Sequence, residues 1–259
     1  MLNKWKVLPL LVLFLLLSST SFADELLSLK GGYQLLSPEG SIAGTGGGVE
    51  RTIDVERDLD LDDSENVTAE IALKWGKSQF SFNYLPISFS GTGALTVSGE
   101  FNGQTFSATD TVKTNLDIDL YDIGYTYYLI NLDDLPTRFQ LGLELAVKVA
   151  DVDLTFNTFN ALDAAPIIAE SESVTAPIPT VGLRSRIALA DFIGVTGRIG
   201  YMEFNDNHFL DAEAQVEFSP LPMVGLYAGV RYFDLKIDED DVFVETKFSG
   251  PFGGLMVRF

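Results

Sequence analysis

Residues 138–149 read RFQLGLELAVKV. Phe139, Leu141, Leu143, Leu145, Val147 and Val149 share one parity, and Gln140, Gly142, Glu144, Ala146 and Lys148 share the other. A strand sends alternate side chains to opposite faces, so this period of two marks a β-strand with one apolar and one polar face. Three further runs repeat it. Residues 67–75 set Val67, Ala69, Ile71, Leu73 and Trp75 against Thr68, Glu70, Ala72 and Lys74. Residues 180–189 set Val181, Leu183, Ile187 and Leu189 against Gly182, Arg184, Arg186 and Ala188, with Ser185 the polar exception. Residues 210–218 set Leu210, Ala212, Ala214, Val216 and Phe218 against Asp211, Glu213, Gln215 and Glu217. Helical periodicity is hard to find after Ala23.

The breaks between runs come in two sizes. Gly76-Lys77, 131–136, Ala190-Asp191 and 219–222 are tight. The stretches 37–66 and 158–177, with the shorter 205–208 and 238–241, are polar. Short and long breaks alternate along the chain. Residues 92–111 belong to the long set and contain Asn102-Gly103, a strong hairpin signal. Ten strands are predicted, near 25–37, 67–75, 78–101, 104–130, 137–157, 178–189, 192–204, 209–218, 223–237 and 242–259. An even number places both ends on the same side.

Alternation fits a secreted β-sandwich or a transmembrane β-barrel. In a sandwich the apolar faces meet each other; in a barrel they meet lipid and the polar faces line the lumen. Alternating turn lengths favour the barrel. So do two groups of aromatics, as the two membrane interfaces select. Trp75, Phe80, Tyr127, Tyr128, Phe139, Phe192, Phe218 and Phe259 gather at the short-turn ends. Phe89, Phe156, Tyr201, Phe204, Phe209, Tyr232, Phe243 and Phe248 lie toward the long-loop ends. The fully charged lumen faces also need a closed interior in which they can pair. The predicted fold is all-β, an antiparallel up-and-down transmembrane β-barrel of about ten strands, with eight or twelve as alternatives.

Residues 1–23 differ from the rest. Lys4 and Lys6 precede an apolar run over 7–17, and Ser21 and Ala23 are small residues before Asp24. This is the layout of a cleaved signal peptide, with the cut between Ala23 and Asp24 and residues 24–259 as one barrel domain. The run is shorter than the ~20 residues of a transmembrane helix. Without the segment, 15 bases face 37 acids, a net charge of −22. That excess argues against a nucleic-acid partner. Having no Cys, the chain has no disulfide framework and no zinc–thiolate site, and no cofactor is implied.

Leu255, Val257 and Phe259 alternate up to the final residue. This ending resembles the terminal strand of Gram-negative outer-membrane proteins, in which a final Phe after alternating apolar residues is read by the barrel-assembly machinery. Gly253 and Pro251 depart from the apolar register. With Gly253-Gly254 near the end, the chain also resembles a group of small outer-membrane barrels of unassigned function. Its plan is similar to omptin-like and other ten-stranded barrels. The resemblance implies the cell outer membrane of a Gram-negative bacterium, with lipid, lipopolysaccharide and the assembly machinery as partners. It transfers no active site.

Parity assigns Glu70, Lys74, Asp117, Asp119, Glu144, Lys148, Arg184, Arg186, Arg198, Asp211, Glu213, Glu217, Arg231 and Arg258 to the lumen. They are predicted to pair as a plug; a narrow polar pore is the functional alternative. Two runs switch parity. Phe80, Phe82 and Tyr84 give way to Ile87 and Phe89 across Leu85-Pro86, and Leu116, Ile118 and Leu120 give way to Tyr121, Ile123, Tyr125 and Tyr127. A β-bulge at each would restore the apolar face, and Pro86, lacking N–H, fits a bulge or a gap in the ladder. A lateral opening for apolar ligands is the functional alternative there.

Residues 50–65 hold eight acids: Glu50, Asp54, Glu56, Asp58, Asp60, Asp62, Asp63 and Glu65. Asp58, Asp60 and Asp62 have the opening spacing of a calcium loop, but Asp63 stands where its glycine belongs and Ala69 where its Glu belongs. A solvated acidic loop is expected, with weak divalent-cation binding there and at 238–241. His208, the only histidine, lies near Asp206 and Asp211 without a nucleophile motif, so no enzyme is expected. The predicted function is a structural outer-membrane component or a narrow, porin-like passive channel for small solutes. The alternatives are an adhesin or surface-binding module using the long loops and, last, a hydrolase using His208.

Overall fold

The computed structural model describes residues 26–46, 49–94, 99–101, 104–106, 111–132, 138–159, 168–221, 223–239 and 242–259. Ala23, Asp24, Asn102-Gly103 and residues 240–241 lie outside the described residues. Among those described, every regular element is a strand. In chain order they are β1 (Leu27–Gly46), β2 (Val49–Asp54), β3 (Ser64–Trp75), β4 (Ser78–Ala94), β5 (Gly99–Phe101), β6 (Gln104–Phe106), β7 (Thr111–Leu132), β8 (Arg138–Phe159), β9 (Ile168–Ala190), β10 (Ile193–Phe204), β11 (Asn207–Phe218), β12 (Val224–Glu239) and β13 (Val242–Arg258).

β13 pairs back onto β1, from Ser28↔Arg258 to Gly44↔Val242, and closes the sheet. β3 pairs with the lower part of β1 and β2 with the upper part, so the two fill one position in the wall, interrupted by residues 55–63. β5 and β6 pair antiparallel as a separate two-stranded sheet. The wall is therefore a closed barrel of ten antiparallel strands in up-and-down order, as predicted. Following paired residues once round from Leu27 returns to Glu39, a stagger of 12 residues. For ten strands this corresponds to a tilt of about 40°.

Several strands run further than predicted. β1 continues to Gly46 and β9 begins at Ile168, so much of 37–66 and 158–177 is ladder. Hairpins that extend past an apolar band still satisfy each other's backbone groups, so polar composition does not make them loops.

The two faces exchange character along the strands. Near the short turns the outward face is apolar and exposed: Trp75, Phe80, Leu143, Leu145, Phe192 and Phe218. The inward face there is polar and buried: Thr126, Gln140, Glu144, Arg184 and Glu217. Toward the long breaks the sense reverses. Leu36, Leu85, Ile87, Phe89, Leu120, Phe209, Phe233 and Phe248 point inward as a buried cluster, with Leu116, Ile118, Val152 and Leu235 against it. Across β4, β7 and β8 the outward rows change in step. Phe82, Ile123 and Val147 are followed by Tyr84, Tyr121 and Val149, and then by Pro86, Asp119 and Asp151.

This reversal corrects two sequence readings. No bulge restores the apolar face near Pro86 or Tyr121: the β4–β7 register is continuous from Ser78↔Tyr127 to Ala94↔Thr111. Irregularities occur at Tyr128/Ile130 and Ile193/Gly194 instead. The parity switch marks a change of surroundings, from lipid-like outside and polar inside to water outside and a dry core inside. Likewise Phe89, Phe209, Phe248 and Tyr128 belong to the interior rather than to an aromatic girdle.

Residues 55–63 fold inward over this core. Val55 and Leu59 are each 3% exposed, Leu61 packs on the apolar cluster, and Asp58 is fully buried. Asp58 accepts hydrogen bonds from the Asp54 N–H at 2.9 Å and from the Arg57 guanidinium. Glu56, Asp60, Asp62, Asp63 and Glu65 stay exposed, as expected of a solvated acidic loop, and the correction is confined to Asp58 and its apolar neighbours, which seat the stretch as a lid in the barrel mouth. Asp62 N–H donates to the Ser90 carbonyl at 2.8 Å, and Leu61 bridges to Gly91. A Cβ on Gly91 or Gly93 would run into the carbonyls of Asp58, Leu59 and Asp60. Gly93→Val is therefore expected to expel the lid. Trypsin should then cut after Arg57 about tenfold faster, because proteolysis follows the open population. An unchanged rate would show that Gly93 does not seat it.

Candidate functional site

Beneath the apolar core the barrel holds a web of ion pairs. Each member points inward because it sits on the buried parity of its strand. Asp122 on β7 and Lys148 on β8 are paired in register, and Lys148 Nζ reaches both Asp122 Oδ2 and Asp211 Oδ2 at 2.7 Å. Arg198 on β10 lies at the centre. Its guanidinium donates to Asp122 at 2.5 Å and to Asp211 at 2.9 Å, with Glu213 at 3.7 Å and Glu144 at 3.8 Å. Arg184 Nε donates to Glu144 at 2.6 Å, and Thr126 Oγ1 donates to the same carboxylate at 3.0 Å.

The web continues round the wall. Arg231 donates to Glu213 at 2.7 Å and to the Gln34 side-chain carbonyl at 2.8 Å. Lys30 lies 3.4 Å from Glu70 and 3.4 Å from Glu217. Glu217 also meets Arg186 at 3.5 Å and accepts from Arg258 and from Gln215. Lys74 sits at the short-turn end with its ammonium 5.7 Å from the Tyr128 ring centre. Side chains from nearly every wall strand thus meet across the lumen.

Sequence parity assigned Asp117 and Asp119 to this web, and the structure places them on the other face. Asp117 is exposed and Asp119 is partly exposed, accepting a hydrogen bond from Tyr84 Oη at 2.6 Å. Both lie on the outward side of the region where the faces exchange, so their apolar neighbours Leu116, Ile118 and Leu120 are the inward residues. Sequence reading missed Lys30, Gln34, Thr126 and Asp122. A signal for Asp122 existed, since it falls between Tyr121 and Ile123 on the parity opposite to that aromatic run.

The first described residues meet the last ones at the β1–β13 closure. Leu26 N–H donates to the Phe259 carbonyl at 2.8 Å, and Phe259 N–H donates to the Leu27 carbonyl at 2.9 Å. Leu255, Val257 and Phe259 share the outward face, with Leu255 60% and Phe259 40% exposed.

No family model matches the chain, and no curated protein matches it. Among solved structures, it is similar to the outer membrane protease OmpT of Escherichia coli, with a TM-score of 0.60 and 11% identity over 93% of this chain and 99% of that one. The translocator domain of the autotransporter NalP of Neisseria meningitidis gives 0.42 and 13% over 98% and 95%. The attachment invasion locus protein Ail of Yersinia pestis gives 0.33 and 12% over 91% and 100%. The fold is that of an outer-membrane β-barrel. In such a barrel the apolar outward band is the membrane-spanning section, and the ion-pair web lies at its level.

The likeness to a protease is one of fold and carries no catalytic residue across. His208 lies on the outward face of β11. Its Nε2 is 3.4 Å from Asp234, its ring is 6.5 Å from that of Tyr201, and its ladder partners are Glu203 and Lys236. Asp211, its sequence neighbour, points inward into the web. Among the described residues, no group of three or more His, Asp or Glu is placed to hold a metal ion.

Proposed function

We propose that this protein is a Gram-negative outer-membrane barrel acting as a structural, non-enzymatic component of the cell envelope, with a sealed interior. One observation carries the reading: the Arg198-centred web crosses the lumen and lies under an apolar core and an inward lid. Buried charges are tolerated only when paired and hydrogen-bonded, and pairs this close leave a hydrated solute no unobstructed path. Outer-membrane lipid and lipopolysaccharide would contact the outward band. Leu255, Val257 and Phe259 would present the signal to the assembly machinery. The purified protein in planar bilayers should give no resolved conductance steps at neutral pH. Stable, reproducible steps would reinstate the passive channel. A surface-binding role is the second reading. It is supported by the ladder beyond the apolar band, whose outward rows Ser88, Asp117, Asp153 and Ser173 present a polar sheet.

A further inference from the structure

The barrel wall is laddered unevenly. β3 and β4 pair from Trp75↔Ser78 only as far as Ala69↔Tyr84. Both strands continue upward: β3 remains paired with β1 to Leu36↔Ser64, and β4 remains paired with β7 to Ala94↔Thr111. Between Ser64–Thr68 and Leu85–Phe89, however, the two edges share no ladder. Side chains hold them instead. Ser88 N–H donates to Ser64 Oγ at 2.9 Å, and Gln34 Nε2 donates to the Pro86 carbonyl at 2.9 Å. Pro86 has no N–H to offer, so the gap is written into the sequence.

The position of this seam suggests its use. It begins at the Tyr84–Tyr121 stack, whose rings are 5.3 Å apart and which marks the boundary where apolar outward residues give way to Asp119. Unpaired backbone is costly in hydrocarbon and is tolerated at the interface or where it borders a cavity. A small polar cavity at the top of the ion-pair web lies directly inside the last rung, bordered at this wall by Thr68, Ala69, Asn83 and Leu85 and lined from the web by Lys30, Glu70, Glu213 and Arg231. Above it the interior is apolar, with Leu36, Leu85 and Ile87 at most 2% exposed. Outside, Val67 is 67% exposed. The unzipped stretch of wall therefore has an apolar core behind it and, in front, an outward row in which Val67 and Pro86 give way to the exposed Glu65 and Ser88, the order expected where acyl chains meet headgroups.

We propose that the β3–β4 seam is a lateral gate that parts to admit an acyl chain of the outer leaflet into contact with the apolar core. The proposal is independent of whether the lumen conducts, because the gate opens sideways above the ion-pair web. The test uses the mature chain with Trp75→Phe and Phe89→Trp, which leaves one tryptophan behind the seam, in vesicles of phosphatidylcholine brominated on the acyl chain. Two changes close the seam. Pro86→Thr restores a ladder N–H, and Glu65→Cys with Ser88→Cys, which keeps Pro86, sets a cysteine on the outward face of each edge for a disulfide across it. Folding of each variant is checked by the mobility difference between heated and unheated samples. Quenching by the brominated chains should fall at least twofold in Pro86→Thr, and in the oxidised against the reduced cysteine pair. Equal quenching in open and closed forms, or none in any form, would overturn the gate and leave the seam a static gap.

Discussion

Arg198→Met should cost about 3–5 kcal/mol of unfolding free energy, because it removes one partner from a buried charge set and leaves the others uncompensated. Arg198 is the shared donor of Asp122 and Asp211, with Glu144 and Glu213 within 4 Å. After its loss Lys148 still faces two carboxylates, and Arg184 and Arg231 each retain one. Two controls isolate the cause. Arg138 pairs with a fully exposed Asp191 at 3.3 Å, so Arg138→Ala should change stability by no more than about 0.5 kcal/mol. Lys148→Met made together with Asp122→Leu should cost less than Lys148→Met alone, because the apolar pair leaves no orphaned charge at that rung. Reversible urea unfolding in detergent micelles measures all of these. A loss below about 1 kcal/mol for Arg198→Met would mean that water screens the web, and the sealed interior would then give way to a hydrated pore.

That web was legible in the sequence wherever one rule governed a whole strand. Residues 138–149 and 210–218 keep strict alternation, and there parity alone assigned Glu144, Lys148, Asp211, Glu213 and Glu217 to the side where they lie. Parity failed where the surroundings change partway along a strand. Leu116, Ile118 and Leu120 obey the rule of a water-soluble protein, apolar inward, whereas Tyr121, Ile123 and Tyr125 obey the rule of a membrane barrel, apolar outward. Read with the second rule throughout, the first three look like lipid-facing residues, and Asp117 and Asp119 are pushed into the lumen with them. The signal that could have located the boundary was two successive cross-strand pairs of acids, Asp117↔Asp153 and Asp119↔Asp151. Like charges directly opposite are unfavourable, and much more so in a closed interior than on a surface in water. The lid was illegible for a different reason. Its burial of Asp58 depends on two glycines more than 30 residues away, and no local pattern connects them.

Gly254→Val is expected to prevent the barrel from closing, an effect of about 3 kcal/mol, at the upper end of what forcing a side chain into a close-packed position costs, because the obstacle is backbone. Gly254 on β13 faces Gly32 on β1 and Tyr227 on β12 in register, all on the inward parity. A Cβ on Gly254 would meet the Gly31 carbonyl and lie 2.5 Å from Gly32 Cα, and backbone cannot move aside without parting the closing strands. A Cβ on Gly32 would meet the Tyr227 hydroxyl and lie 2.6 Å from the Gly253 carbonyl. The Tyr227 ring, 7% exposed, therefore spans the space that the two glycines leave empty, with Lys30 Nζ 5.4 Å from its centre. Gly32→Ala has one side-chain obstacle and Gly254→Ala has only backbone ones. Tyr227→Leu should accordingly recover part of the stability lost in Gly32→Ala and none of that lost in Gly254→Ala. Gly31→Ala is the control: its Cβ points outward and meets nothing within 4 Å, so it should be neutral or gain about 0.5 kcal/mol from reduced chain entropy. Unheated gel mobility reports closure and urea midpoints report the pairwise energies. If Tyr227→Leu rescues both glycine variants equally, the closure is governed by the ring rather than by backbone approach; if it rescues neither, the ring has no part in it.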